Sequence, residues 1–152
     1  MKNSGDNKKI KNAKSFLYNN IKFKSQFEVT VYKTLLQEGF DNVQYEPKTY
    51  VLWEGFKPLI PFYDRDKHTG LNKLSMKKII DIKYTPDFRF VYNNWIIFIE
   101  AKGIENDVFY IKKKLFRKKL EEFHKTSGVN CVYFEVFSKK QLLEAIQIIR
   151  NL

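Results

Sequence analysis

One cysteine and two histidines are all that 152 residues contain, and these shortages exclude several chemistries. Cys131 cannot form a disulfide framework within one chain, and inside the apolar run VNCVYFEVF it is expected to be a small buried residue. With His68 and His124 standing apart in the sequence, neither a structural zinc site nor a His-Cys nucleophile is expected. No apolar run approaches the length needed to cross a membrane. The opening segment MKNSGDNKKIKNAK lacks the apolar stretch that follows the charges of a secretory signal, so a cytoplasmic location is expected. The chain also has no Gly-x-x-x-x-Gly-Lys phosphate loop, no Gly-x-Gly-x-x-Gly fingerprint and no base-reading module such as a zinc finger.

What remains is a globular composition with a strong charge bias. Hydrophobic residues make up 43% and aromatics 16% of the chain, enough for one domain with its own core. Lys and Arg number 28 against 17 acids, a formal charge of +11. Such a balance favours a polyanionic partner, of which nucleic acid is the commonest.

Residues 1–14 form a lysine-rich arm, and residues 15–152 read as a single domain. Phe27, Val31 and Leu35 recur at spacing four and predict a helix over about Ser25–Glu38, closed by Gly39. NVQYEPKTYVLW reads as strand broken at Pro47. Residues 55–80, with two prolines, two glycines and many lysines, read as an excursion from the core. Two strands flank Asn93-Asn94. A helix beginning at Asn106 or Asp107 is expected to bury Val108, Ile111, Leu115 and Phe123, with Tyr110, Phe116 and Trp95 also in the core. VNCVYFEVF reads as a buried strand, and a last helix starts at Ser138. The expected fold class is α/β, a mixed sheet flanked by helices.

The segment YTPDFRFVYNNWIIFIEAKG carries the chemistry. If Asn93-Asn94 is a two-residue turn, Tyr92 pairs with Trp95, Phe90 with Ile97 and Phe88 with Ile99. The same count sets Asp87 opposite Glu100, with Cβ atoms roughly 5 Å apart. Two carboxylates that close need a proton or a cation between them, and oxygen ligands of this kind suit Mg²⁺ or Mn²⁺. Period two puts Lys102 on the face of Glu100, where an ammonium can orient a water or steady charge on a phosphate oxygen.

Pro86-Asp87, a hydrophobic strand and Glu100-Ala101-Lys102 resemble the motif of the PD-(D/E)XK nuclease superfamily, from about Ser25 to Phe137. The closest likeness is to small phage-type members, in which PDF, an EAKG strand end and a lysine-rich helix such as KKKLFRKK follow in this order. The resemblance implies a restriction-endonuclease-like core of helix, three strands, helix and strand. It implies that Asp87 and Glu100 ligate the metal with the Ala101 carbonyl, and that Lys102 is the catalytic lysine. Many members carry a further glutamate on the first helix, for which Glu28 is the candidate. SQFE is equally a capping box, in which Glu28 would bond back to the Ser25 N–H. The two roles ask for different side-chain directions, and both stand at this stage.

The function expected on these grounds is a Mg²⁺-dependent endodeoxyribonuclease selective for branched DNA such as a Holliday junction, acting as a homodimer in the cytoplasm (the host's, if the chain is phage-encoded). Lys112, Lys113, Lys114, Arg117 and Lys118, with Lys119, are expected to grip DNA backbone. The alternatives are a restriction-like or transposition-associated nuclease that works with a partner protein, and a non-catalytic DNA-binding module on the same fold.

Overall fold

A computed structural model describes residues 15–152, so the basic arm expected over residues 1–14 lies outside the described residues. The described chain opens with a hairpin, β1 (Phe16–Tyr18) and β2 (Ile21–Phe23), turned by Asn19 and Asn20 at φ 48° and 61°. This hairpin is not among the expected elements, although Asn19-Asn20 carries the same turn signal as Asn93-Asn94. Helix α1 (Gln26–Gln37) follows, its first turn capped by the Ser25 hydroxyl, which accepts from the Glu28 N–H.

Strand β3 (Gln44–Tyr45) ends at Glu46, whose φ of 43° turns the chain before Pro47 and into β4 (Tyr50–Trp53). The excursion at 55–80 is a second hairpin, β5 (Phe62–Arg65) with β6 (Asn72–Ser75). Its neck is closed by Phe56 and Ile79, which exchange backbone hydrogen bonds of 3.0 and 2.8 Å. Beside them a Cβ on Gly55 would meet the Ile79 carbonyl oxygen at 2.1 Å, so only glycine lets the two backbones approach. Strand β7 (Ile82–Tyr84) then returns antiparallel to β4.

Next come β8 (Phe88–Tyr92) and β9 (Trp95–Ala101), paired antiparallel as Phe88↔Ile99, Phe90↔Ile97 and Tyr92↔Trp95, the register expected from a two-residue turn. Asn93 and Asn94 supply its two left-handed positions, at φ 45° and 65°. Helix α2 (Asp107–Ser127), β10 (Cys131–Val136) and α3 (Lys139–Arg150) complete the chain. Asn106 and Ser138 cap the two helices through their side chains.

The main sheet runs β10-β9-β8-β3, with β10 parallel to β9 and the other pairs antiparallel. The fold is therefore a mixed α/β one. Side chains alternate across β9, so its two faces enter different cores. Ile97, Ile99 and Ala101 join Phe88 and Phe90 against α1 and α3, through Val31, Leu35, Leu142, Ile146 and Ile149. On the opposite face Phe98 joins Tyr84, Phe109 and Phe116, with Tyr50 and Leu52 of β4 packed alongside. No helix among the described residues is long and apolar enough to cross a membrane.

Helix α2 corrects one expectation. It buries Phe109 and Phe116, whereas Val108, Ile111 and Phe123 are exposed and Tyr110 is half out of the core. Two adjacent stripes satisfy the same helical period, and the one carrying the larger rings meets the aromatic face of the sheet. The strand VNCVYFEVF is likewise half-buried, Cys131 included, because β10 is an edge strand.

The β8–β9 turn is open to a direct test. Asn94→Val puts a β-branched side chain at positive φ and should cost about 1–2 kcal/mol, whereas Asn94→Gly should be neutral or stabilising. Urea midpoints compare the two, and equal midpoints would remove the left-handed turn as the determinant of register.

Candidate active site

Regular pairing ends at Phe88↔Ile99, but the next two residues stay locked to each other. The Asp87 N–H donates to Glu100 Oε2 at 3.2 Å, and the Ala101 N–H donates to Asp87 Oδ2 at 2.8 Å. Both acids are buried, Asp87 at 7% and Glu100 at 2% exposure. The Tyr84 hydroxyl donates to Glu100 Oε2 at 2.6 Å and lies 2.8 Å from the Tyr133 hydroxyl. Lys102 Nζ sits 2.6 Å from Glu100 Oε1 and 4.5 Å from the centre of the Phe109 ring. The hairpin thus brings Asp87, Glu100 and Lys102 into contact on the α2 face of the sheet. Ala101 contributes its backbone here, and its methyl turns into the opposite core.

Electrostatics follow from burial. Desolvation, and then the Glu100 charge, push the Asp87 carboxyl up to about 8, against the pull of the Ala101 N–H. Burial draws Lys102 down, but the charges of Glu100, Asp87 and Glu28 outweigh it and leave the ammonium held above its ordinary range. Tyr84 is pushed far up by burial and by Glu100, so its hydroxyl keeps its proton and remains a donor to that carboxylate.

Glu28 closes a capping box, in an altered form. Its Oε1 accepts from the Ser25 hydroxyl at 3.0 Å, and its Oε2 accepts from the Lys24 N–H at 3.0 Å and the Tyr45 hydroxyl at 2.5 Å. The capping box therefore closes on the Lys24 N–H rather than that of Ser25, because Tyr45 draws the carboxylate toward β3. From that position Glu28 also lines a cleft of about 560 Å³ with Asp87, Glu100 and Lys102. Glu46, Lys83 and Lys112 line it too. Tyr84 and Glu46 line this cleft, and Tyr45 bonds to the Glu28 that lines it; none of the three is expected from the sequence. The Val-Tyr-rich context of Tyr45 and Tyr84 signals strand, and nothing local says where a strand's hydroxyl points.

Among the described residues no group of three or more His, Cys, Asp and Glu converges to hold a metal. What does converge is the Asp87–Glu100 pair. A raised carboxyl beside a second buried carboxylate, balanced in direct contact by one ammonium, is a donor set that an added cation would relieve. Two carboxylates and a backbone carbonyl suit a hard ion that keeps several water ligands.

A family model described as "Protein of unknown function (DUF1064)" matches residues 8–136. The chain belongs to this family. The match runs through β10 and so includes every residue of the cleft. No curated protein and no solved structure matches the chain.

In this DUF1064 member the basic helix is not one uniform face. Lys113 is nearly buried and bridges Glu105 and Glu135, and Arg117 pairs with the same Glu135. Those two cations tie α2 to β10 and to the loop before α2. Lys114 lies over the Tyr110 ring, 4.1 Å from its centre, and Lys118 is 3.8 Å from Glu122. Lys112 alone of the expected five lines the acidic cleft. Acids absent from the helix segment itself arrive from β10, which the segment's own composition does not reveal.

Two tests follow from this geometry. Because the folded Asp87 binds its proton more tightly than an ordinary aspartate, its contribution to stability is present below about pH 4. It is lost as pH rises toward the folded value of about 8. In EDTA, Asp87→Asn should therefore gain stability over the parent as pH goes from 4 to 8, read as a widening gap in Tm. A gap that stays constant would mean that Asp87 ionises freely. Separately, Lys113→Ala should lower the denaturation midpoint, whereas Lys112→Ala should leave it unchanged. If Lys113→Ala is instead thermally silent, the ion cluster is not structural.

Proposed function

We propose that this protein is a metal-dependent endodeoxyribonuclease built on a restriction-endonuclease-like core, acting by preference on branched DNA. The observation that carries the reading is the Asp87–Glu100 pair, buried face to face with Lys102 bonded to Glu100 in an open cleft. The order α1, then β3, β8 and β9, then α2 and β10, supports the core expected from the resemblance. The charge of +11 supports a polyanionic substrate.

Asp87 and Glu100, with the Ala101 carbonyl, would hold Mg²⁺ or Mn²⁺, which supplies electrophilic activation of the scissile phosphate and of the attacking water. The chain's own groups do the rest. Tyr84 and the Asp87 N–H orient Glu100 by donating to one oxygen, leaving Lys102 on the other. Lys102 stays charged and can turn an N–H toward the attacking water or a non-bridging phosphate oxygen. Water adds to phosphorus, the bond to the leaving sugar oxygen breaks, and that oxygen takes up a proton. Glu28, held by Tyr45 and Ser25, places a further carboxyl group at the cleft wall. Lys112 and Lys83 flank the opening and would meet neighbouring phosphates.

One specific observation favours a second reading, cleavage in company with a partner protein or a second copy. The excursion exposes Leu59, Ile60, Tyr63, Leu71, Leu74 and Ile80, more large apolar side chains than a solvated hairpin needs.

The test is cleavage of end-labelled linear duplex and four-way-junction DNA with Mg²⁺ or EDTA. Asp87→Asn, Glu100→Gln and Lys102→Ala should each lower the rate at least about 100-fold while folding normally. Parental rates in these variants would overturn the site. Equal cutting of linear and junction DNA would remove the preference for branches. A chain that binds DNA but leaves it uncut until another protein is added would favour the second reading.

A further inference from the structure

A second cleft lies on the same face of the sheet, separated from the acidic one by the linker between β3 and β4. Glu46 and Thr49 of that linker line the acidic cleft, whereas Pro47 and Lys48 line its neighbour. The neighbour has a volume of about 470 Å³, within the range of small-ligand sites. Its character is opposite to that of the acidic cleft. Lys48, Arg89 and Lys119 line it, no acid does, and none of the three cations makes an ion pair among the described residues. Between the cations stand aromatic walls, Tyr50, Phe98 and Phe123.

Two of the cations have contacts within the cleft. Arg89 donates to the Gln44 side chain at 3.2 Å across the β3–β8 pair, which leaves most of its guanidinium donors available. Lys48 lies 5.4 Å from the centre of the Tyr50 ring. Phe123 is 42% exposed at a position where the helix has an apolar face to offer and no core to fill. Arg89 and Phe98 are each two residues along their strands from Asp87 and Glu100, about 7 Å away on the same face.

We propose that this cleft binds a single unpaired nucleotide, its base against the aromatic walls and its phosphate on Lys48, Arg89 and Lys119. Flat rings flanked by cations match a planar base joined to an anion. Duplex DNA would present phosphate here but no free base, so the cleft discriminates in favour of unpaired strands, loops or branch points. The shared chemistry admits two sources, a nucleotide within a single strand or a free mononucleotide. The inference rests on this cleft alone and does not require the cleavage reading.

The experiment is equilibrium binding, in EDTA, of a fluorescent single-stranded oligonucleotide, the matching duplex and a free deoxynucleoside monophosphate as competitor. Lys119→Ala and Phe123→Ala, both α2 residues that line the cleft, are paired with Lys140→Ala, an exposed α3 cation that lines neither cleft, as a control. Phe123→Ala should weaken single-strand binding at least about fivefold. Lys119→Ala should weaken it too and reduce the salt slope by about 0.7. Both should change duplex binding less, and Lys140→Ala should spare single-strand affinity. Competition by the monophosphate at concentrations near the oligonucleotide's own Kd assigns the source to free nucleotide, and its failure to compete assigns it to a strand. Unchanged single-strand affinity in both α2 variants overturns the proposal. So does equal weakening of duplex and single strand, or a phosphotyrosine peptide that binds with the same dependence when the oligonucleotide does not.

Discussion

Two carboxylates are buried against each other at the open end of the β8–β9 hairpin, and much of the surrounding structure exists in relation to that repulsion. In a medium that screens poorly, Asp87 and Glu100 are held by donors that cannot easily leave: two backbone N–H groups, the Tyr84 hydroxyl and the Lys102 ammonium. Each donor comes from an element with its own packing. Tyr84 is wedged against Phe109 and Phe116, and Lys102 lies over Phe109. A hairpin shifted by one residue would send the two acids to opposite faces, so the arrangement depends on register as much as on residue identity.

The sheet supports this by keeping its two faces distinct. The face toward α1 and α3 is a continuous aliphatic and aromatic core, in which Ile97, Ile99, Phe88 and Phe90 are wholly buried. Burial of that kind is strong and non-directional, and it holds β9 rigid. The face toward α2 has a smaller core of interlocked rings, and its two ends open into clefts of opposite charge. A support stabilised from behind leaves the front free to carry groups that are poor for stability, a principle that also fits a non-glycine residue, Glu46, held at positive φ beside the acids.

Helix α2 illustrates why charge alone is an incomplete guide to a binding surface. Its cations look alike in the sequence, yet Lys113 and Arg117 are engaged by Glu135, a residue about twenty positions away that β10 brings alongside. The pairs fasten the helix across the sheet edge. Lys112 and Lys119, about two turns apart on that helix, line the two clefts instead. Glu28 teaches the same lesson from the acidic side, since its cap and its place in the cleft are joined by a hydrogen bond to Tyr45 that no local pattern encodes.

Local physics made a good part of this legible. Asn93-Asn94 between alternating runs sets a two-residue turn, and period two then dictates every pair out to Phe88↔Ile99 and the facing of Asp87 and Glu100. Ser25, Asn106 and Ser138 announce their helices because capping needs only three or four neighbouring residues. The Asn19-Asn20 hairpin carried the same turn signal but strands of only three residues, too short for alternation to stand out. By itself, then, the sequence determined the hairpin register, the helix starts and the pairing of the two acids, all of them consequences of bonds between near neighbours. Only the tertiary structure decided which stripe of α2 is buried, which lysines are free, that Tyr84 and Tyr45 hold the acids, and that a basic aromatic cleft lies beside the acidic one. Those depend on which surfaces meet when distant segments pack, and packing is settled by shape and volume across the whole fold rather than by spacing along the chain.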